Sequence, residues 1–180
     1  MHLEFKNLLK GCRDYERKAQ RQMMDLLMPF LLSVCRRYER NQAASQDLVQ
    51  EALILIFNHI KDCQNEEKPF MGWCKRIAIN VCLDKFRKLK IPLEHLEDQA
   101  IGLGIQPDVL AQLGVEDILQ ILEVLPQNQH LVFNLHVIDG YSHSEIGEML
   151  LIKESSARTI FMRARQNLQK IFHSQELTVS

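Results

Sequence analysis

The sequence predicts an all-α fold of two small helical domains joined by a flexible acidic linker. Apolar residues recur at helical spacing almost throughout, and no stretch alternates apolar and polar residues as a half-buried strand does. The chain of 180 residues has only seven glycines and five prolines, as an all-helical protein would. Between Ile91 and Ile152 it carries ten carboxylates and no lysine or arginine. We therefore expect domains at 1–90 and 116–180, with the linker at 91–115.

Nine helices are predicted from the apolar spacing. They span residues 3–11, 14–28, 30–40, 45–61, 69–89, 116–125, 128–138, 143–150 and 155–173. Pro29 separates the second helix from the third, because proline fits the first turn of a helix better than its interior. The linker has two prolines, three glycines and no aromatic residue, which is typical of a connecting segment.

The two ends of the chain are cationic and its middle is anionic. Residues 1–90 hold 17 basic and 11 acidic side chains, and residues 153–180 hold five and two. Cationic surfaces attract a polyanion such as nucleic acid, which the acidic middle would repel. Chance clustering of surface charge is the alternative.

Several classes of function are disfavoured by what the sequence lacks. No apolar run is long enough to cross a bilayer, and residues 1–10 are unlike a signal peptide, so we expect a cytoplasmic protein. Five cysteines without a C-x-x-C pair and seven scattered histidines argue against zinc, and we interpret the cysteines as small buried hydrophobes. A glycine-rich phosphate loop and a nucleophile elbow are also missing. We expect no enzyme, no metal and no cofactor.

A helix–turn–helix pattern lies near the end of the sequence. Ser142 and Glu145 are spaced as a capping box at the start of its first helix. The predicted core stripe of its second helix is Ala157, Phe161, Ala164, Leu168 and Ile171. Beside that stripe lie Arg158, Met162 and Arg165, a face free of acids that is typical of a recognition helix in the major groove. A solvated cationic helix is the alternative.

The 45–61 helix has an apolar face and a mixed face. The predicted inward stripe is Val49, Ala52, Leu53, Ile56 and Ile60. The opposite face contains Asp47, Glu51, Ile54, Leu55 and Asn58. Two large aliphatic side chains beside carboxylates indicate a protein-binding surface, and burial against another helix of the same domain is the alternative.

Aromatic and basic residues occur together in the 69–89 helix, which begins with Phe70 and Trp73. Its last turns contain Lys85, Arg87 and Lys88, and Lys90 follows directly. Bases stack on aromatic rings while lysine and arginine meet phosphates, so this pattern is typical of a protein that binds single strands. We expect Phe70 to be a core residue and Trp73 to be partly packed and partly accessible.

Together these segments resemble the extracytoplasmic-function (ECF) class of bacterial RNA polymerase sigma factors. Asp47-Leu48-Val49-Gln50-Glu51 is similar to the region-two helix that docks on the clamp coiled coil of the β′ subunit. The segment containing Phe70, Trp73, Arg76-Ile77-Ala78, Asn80 and Asp84 resembles the part that melts and reads the downstream (minus ten) element. The end of the sequence resembles region four, which reads the upstream (minus thirty-five) element and touches the β flap. The residues that carry this resemblance are Leu125-Pro126, Gly140-Tyr141-Ser142, Glu145-Ile146 and Arg163-Ala164-Arg165.

The resemblance implies a transcription initiation factor that binds core RNA polymerase, recognises promoter DNA and melts it. It implies core-polymerase contacts at Asp47, Gln50, Glu51 and Ile54. The implied downstream-element contacts are Trp73, Arg76, Asn80, Lys85, Arg87 and Lys88, with Asn80 lining the pocket of an extruded base and the basic residues meeting phosphates. The implied upstream-element contacts are Ser155, Ser156, Arg158, Thr159, Met162, Arg163 and Arg165. The acidic linker would thread through the polymerase toward the RNA exit path.

Three residues of the helix–turn–helix depart from the family pattern. Leu151 stands where glycine is usual, and a left-handed leucine would cost roughly 1 kcal/mol. Lys153 replaces the usual serine or threonine cap, so that Ser155 is a candidate start for the second helix, and Ile160 occupies a commonly basic position. Because of these departures, a recruited DNA-binding protein is a candidate partner. The family resemblance adds an anti-sigma factor as a second candidate. The competing functions are a stand-alone helix–turn–helix regulator and a helical scaffold that has lost DNA binding.

Overall fold

The computed structural model describes residues 2–63, 67–88 and 125–176, and within these ranges it describes the side chains of residues 4–170. The described residues are helical and contain no strand, which confirms the predicted fold class. Their seven α-helices are α1 (His2–Arg13), α2 (Arg17–Arg36), α3 (Gln42–Asn58), α4 (Glu67–Lys88), α5 (Gln127–Phe133), α6 (His143–Leu150) and α7 (Glu154–Glu176). A π-helical turn, Asn134–Ile138, follows α5 directly. The predicted linker at 91–115 lies outside the described residues, as does most of the predicted 116–125 helix.

The chain divides into two compact units, Met1–Leu89 and Lys90–Ser180. In the N-terminal unit, α2 and α4 each contact the other three helices. All four helices contribute large, fully buried side chains: Leu9, Met23, Leu27, Leu31, Ile56, Phe70, Ile79 and Leu83. The ring of Phe5 meets that of Phe70 edge-on with 5.4 Å between centroids, so Phe70 is a core residue as predicted.

The predicted helix break at Pro29 is wrong, because α2 continues through it. Pro29 has no N–H to donate to the carbonyl of Asp25, and an interior proline costs ~3 kcal/mol. Both residues are exposed, so water can solvate that carbonyl. On the other face Leu27, Leu31 and Val34 are buried, and each full burial contributes about 1.5–3 kcal/mol. Packing on both sides of the proline therefore outweighs the local cost.

In the C-terminal unit, α5 and α6 both pack against α7. Its core cluster contains Leu125, Phe133, Ala164 and Leu168, with Ile138 and Phe161 packed against it. The predicted stripe of α7 is confirmed at Ala157, Ala164 and Leu168, while Ile171 lies outside the described side chains. Ile160 is also buried, so this position of α7 packs inside the unit.

The helix–turn–helix has the predicted cap and turn. Ser142 Oγ accepts a hydrogen bond from the Glu145 backbone N–H at 3.2 Å, and a Glu145 carboxylate oxygen accepts one from the Ser142 N–H at 2.8 Å. The residue that follows α6 is Leu151, whose φ of 58° and ψ of 40° are left-handed, the conformation for which the family's usual glycine is suited. The helix α7 begins at Glu154, so Lys153 takes the cap position, and the candidate start at Ser155 is wrong by one residue.

Candidate protein and nucleic-acid interfaces

The outer face of α3 is exposed along its length. Asp47, Gln50 and Glu51 are all exposed, and the inward stripe of this helix is buried as predicted. Ile54 is 62% exposed and Leu55 is 37% exposed, so burial against another helix of the unit, the alternative for these two, is wrong. An aliphatic patch beside carboxylates suits a protein partner with an apolar surface and a basic rim.

One side of α4 presents an aromatic ring, a guanidinium and an amide. Trp73, Arg76 and Asn80 follow one another at steps of three and four, which places them on the same side of the helix. Trp73 is half-buried, and its ring lies 5.8 Å from that of Phe70, tilted by 43°. Arg76 and Asn80 are exposed. The predictions for the two aromatic residues are confirmed, because Phe70 is in the core and Trp73 is partly packed and partly accessible.

Two of the basic residues at the end of α4 are already ion-paired. Lys85 Nζ donates to Glu39 Oε2, and Arg87 pairs with Asp84 at 3.0 Å. Lys88 is exposed. The sequence gives no signal for Glu39, because no spacing rule relates residues that lie 46 positions apart. A phosphate would have to compete with a carboxylate for Lys85 and for Arg87.

The predicted upstream-element residues lie along α7 with different accessibility. Ser155, Arg158, Thr159 and Met162 are exposed, and Ser156, Arg163 and Arg165 are half-buried. The prediction that this face is free of acids is wrong, because Arg158 Nη2 donates to Glu154 Oε1 at 2.8 Å. The cause is the earlier helix start, which puts Glu154 one turn before Arg158. The guanidinium of Arg165 lies over the Phe161 ring, 5.9 Å from its centroid.

The cysteines are free thiols, and four of the five are buried. Burial, followed by the neighbouring Cys63, raises the pKa of Cys12 to about 11 and that of Cys74 to about 12. These thiols stay protonated at neutral pH, as expected for small buried hydrophobes. In the part of the chain that the structure describes, no three histidine, cysteine or acidic side chains are grouped as metal ligands. None of its described helices is long and apolar enough to cross a bilayer.

Comparison with known proteins agrees with this architecture. Residues 23–90 match the family model of Sigma-70 region 2, and residues 116–168 match that of Sigma-70 region 4. The chain is 29% identical to the ECF RNA polymerase sigma factor SigW of Bacillus subtilis, over 94% of this chain and 97% of SigW. It is 31% identical to the ECF RNA polymerase sigma factor SigE of Mycolicibacterium smegmatis, over 80% of this chain and 58% of SigE.

Two solved structures share the fold. The sigma factor RpoE, in its complex with the anti-sigma factor NepR from Bartonella quintana, aligns with a TM-score of 0.51 and 19% identity, over 85% of this chain and 96% of that one. CnrH, in its complex with the cytosolic domain of CnrY, aligns with a TM-score of 0.50 and 18% identity, over 94% of this chain and 97% of that one. This chain belongs to the extracytoplasmic-function family of RNA polymerase sigma factors, which are transcription initiation factors.

Proposed function

We propose that this chain docks on core RNA polymerase through the outer face of α3 and opens promoter DNA with the exposed side of α4, without bond chemistry of its own. The observation that carries the proposal is that one helical unit exposes both surfaces. On α3 the isoleucine Ile54 is 62% exposed. On α4 the accessible part of Trp73 lies beside two exposed polar side chains, Arg76 and Asn80. We also propose that the chain acts in the cytoplasm, where the polymerase is.

Docking on the polymerase would use Asp47, Gln50, Glu51 and Ile54. Burial of an aliphatic side chain of this size contributes ~1.5–3 kcal/mol, so Ile54 is the expected anchor. The carboxylates of Asp47 and Glu51 would meet basic residues at the rim of the clamp coiled coil of β′. Charge reversal at the rim should slow association as well as weaken it.

Opening of the promoter would use stacking and one side-chain amide. Extrusion of a base costs a few kcal/mol, and stacking of a base on an aromatic ring contributes about 1–3 kcal/mol of stabilisation. Trp73 would supply the ring, and Asn80 would donate to and accept from a base edge. Arg76, Arg87 and Lys88 would meet phosphates, with Arg87 exchanging its carboxylate partner for the phosphate.

The C-terminal unit would read the upstream element through α7, with the β flap as its polymerase contact. The proposed contacts are Ser155, Ser156, Arg158, Thr159, Met162, Arg163 and Arg165. Because Arg158 is paired with Glu154 and Ile160 is buried, we propose that this readout is weak and depends on the polymerase or on a recruited DNA-binding protein. The proposed domains are 1–90 and 116–180, joined by an acidic linker at 91–115 that occupies the path of the transcript. By analogy with RpoE and its anti-sigma factor, we propose an anti-sigma factor as a partner.

Separate variants of the two surfaces test the proposal. Promoters would first be identified by sequencing polymerase-bound DNA with and without the protein. Asp47→Arg with Glu51→Arg should abolish co-elution with core polymerase, while the same charge change at exposed Asp14 and Asp62 should not.

On those promoters, Trp73→Ala and Asn80→Ala should bind core polymerase normally but form fewer open complexes, detected by permanganate reactivity of unpaired thymines. Failure of the wild-type chain to associate with core polymerase contradicts the proposal. So does an equal effect of the α3 and α4 variants on both assays. Tight, specific duplex binding without polymerase would favour the stand-alone regulator instead.

A further inference from the structure

Glu39 connects the end of α4 to the start of α3. It lies between α2 and α3, and both of its carboxylate oxygens accept hydrogen bonds. One accepts from Lys85 Nζ near the end of α4, and the other accepts from the Asn41 backbone N–H at 2.9 Å. Asn41 caps α3, since its Oδ1 accepts from the Ala44 N–H at 2.9 Å. A single carboxylate therefore contacts both the helix proposed to open DNA and the cap of the helix proposed to dock on the polymerase.

The Glu39–Lys85 pair is more shielded than an ordinary surface ion pair. The Glu39 side chain is 19% exposed and that of Lys85 is 35% exposed. Partial burial favours the neutral carboxyl, but the hydrogen bonds from Lys85 and Asn41 hold the pKa of Glu39 below its usual value. The carboxylate is therefore charged at neutral pH. Its negative charge balances the positive charge of Lys85 before any DNA binds.

We propose that Glu39 and Lys85 form a positioning pair, and that Lys85 acts in promoter opening through Glu39 and not through a phosphate. The pair fixes the end of α4 against the start of α3, which keeps Asn80, five residues before Lys85, in place for a base. This inference rests on the proposed function of α3 and α4. Lys88, exposed one turn further along α4, keeps the role of phosphate contact.

A variant that removes both charges at once separates positioning from phosphate contact. Glu39→Gln/Lys85→Met removes one negative and one positive charge, so the net charge of the unit is unchanged. If Lys85 makes no phosphate contact, this variant should bind DNA with the same salt dependence as the wild type. The assay is binding of the assembled polymerase to promoter DNA between low and moderate salt. We expect the slope of log affinity against log salt to equal that of the wild type. In the matched control Lys88→Met, loss of one phosphate contact should make the slope shallower by about one.

The rate of open-complex formation is the second measurement. We expect it to fall by about threefold to tenfold in Glu39→Gln/Lys85→Met, with core-polymerase binding unchanged. Each single variant should be as slow as the double variant, because either one already breaks the pair. Lys85→Arg and Glu39→Asp keep both charges and should open DNA at nearly the wild-type rate.

A slope that falls by about one in the double variant would overturn the inference, because Lys85 would then be a phosphate contact. An unchanged opening rate would overturn it as well. If the double variant melts at a lower temperature than the wild type and loses core binding, the test uses Lys85→Arg and Lys85→Gln instead. Equal rates of open-complex formation in these two variants would overturn the inference. Failure of the proposed function itself is distinguishable, since the wild-type complex would then not open promoters.

Discussion

The imidazole rings of His136 and His143 lie 4.2 Å apart between centroids, tilted by 39°. The ring of Phe161 packs edge-on against both, at 4.6 Å from His136 and 5.3 Å from His143. His136 belongs to the π-helical turn, His143 to α6 and Phe161 to α7, so this cluster joins the π-helical turn to both helices of the helix–turn–helix. His136 Nδ1 donates to the carbonyl of Tyr141 at 2.8 Å. His143 Nε2 is buried and has no hydrogen-bond partner among the described residues.

We expect acid to weaken the C-terminal unit through His143. Burial, then His136, then the charge of Arg158 lower the pKa of His143, while Glu154 opposes them. With a folded pKa below the ordinary 6.5, the unfolded chain binds this proton more tightly than the folded chain. Stability is therefore complete above pH 6.5 and is lost as the pH falls through the folded pKa.

Titration of the His143 ring by NMR in the full chain measures this directly. The pKa should lie below 6.5 and should rise in Arg158→Gln, which removes a positive charge and leaves Glu154 unpaired. Arg17→Gln, the same change in the other unit, is the control and should leave the pKa where it was. A His143 pKa at or above 6.5 contradicts the expected effect of this cluster.

Leu151→Gly should stabilise the C-terminal unit. The leucine has a φ of 58°, where a side chain costs about 1–2 kcal/mol, and it is 75% exposed, so little packing is lost with it. Glycine relieves the strain but loses more backbone entropy on folding, which leaves a gain of roughly 0.5–1 kcal/mol. Protection of the α6 and α7 amides in hydrogen exchange measures the gain. Leu151→Ala keeps the strained φ and should give no gain; equal protection in the two variants would show that strain is not the cause.

Ser142→Ala should remove the half of the reciprocal cap of α6 that depends on the serine hydroxyl. The hydroxyl accepts from the Glu145 N–H, and its loss at a helix N-terminus costs about 1 kcal/mol. Ser142→Thr keeps a hydroxyl that can accept from the Glu145 N–H and donate to the Glu145 carboxylate, so it should retain most of the stability. Ser144→Ala, the same change at an exposed position two residues on, should alter it by less than about 0.5 kcal/mol. The measurement is again amide protection in α6, and the interpretation is wrong if both alanine variants lose the same amount.

The apolar faces of the long helices were predictable because burial there follows local spacing. The inward stripe of α3 and the buried part of the α7 stripe needed only the period of the helix. A local rule also sufficed for the Ser142 cap, whereas only the family pattern, with its usual glycine, pointed to a left-handed residue at Leu151. Local rules failed at Pro29, where the apolar contacts made by α2 on either side of the proline outweigh the local cost.

Contacts between remote residues were the part of the candidate site that the sequence could not predict. Lys85 was expected to be available for DNA, yet its partner Glu39 approaches only when α4 packs beside the start of α3. The pairing of Glu154 with Arg158 is different, since their spacing of four residues is a local rule. The predicted start of the helix at 155 leaves Glu154 outside it, so the rule does not reach this pair until the structure places the start at Glu154.

Glycine-to-alanine changes at Gly147 and Gly72 should affect stability in opposite directions. At Gly147 in α6, a Cβ would lie 2.9 Å from the carbonyl oxygen of Ile152 and 3.3 Å from the backbone nitrogen of Glu154. Both atoms are backbone, so the turn itself would have to move, at a cost of about 1–3 kcal/mol. At Gly72 in α4, no heavy atom among the described residues lies within 4 Å of the added Cβ.

In a helix interior, alanine is more favourable than glycine by ~1 kcal/mol. Gly72→Ala should therefore gain roughly 0.5–1 kcal/mol. Denaturant unfolding followed by the fluorescence of Trp73, the single tryptophan, reports the N-terminal unit. Amide exchange in α6 and α7 reports the loss expected for Gly147→Ala. If both variants gain stability, helix propensity outweighs the close approach of the α6–α7 turn to Gly147, and the tight packing inferred for this turn is wrong.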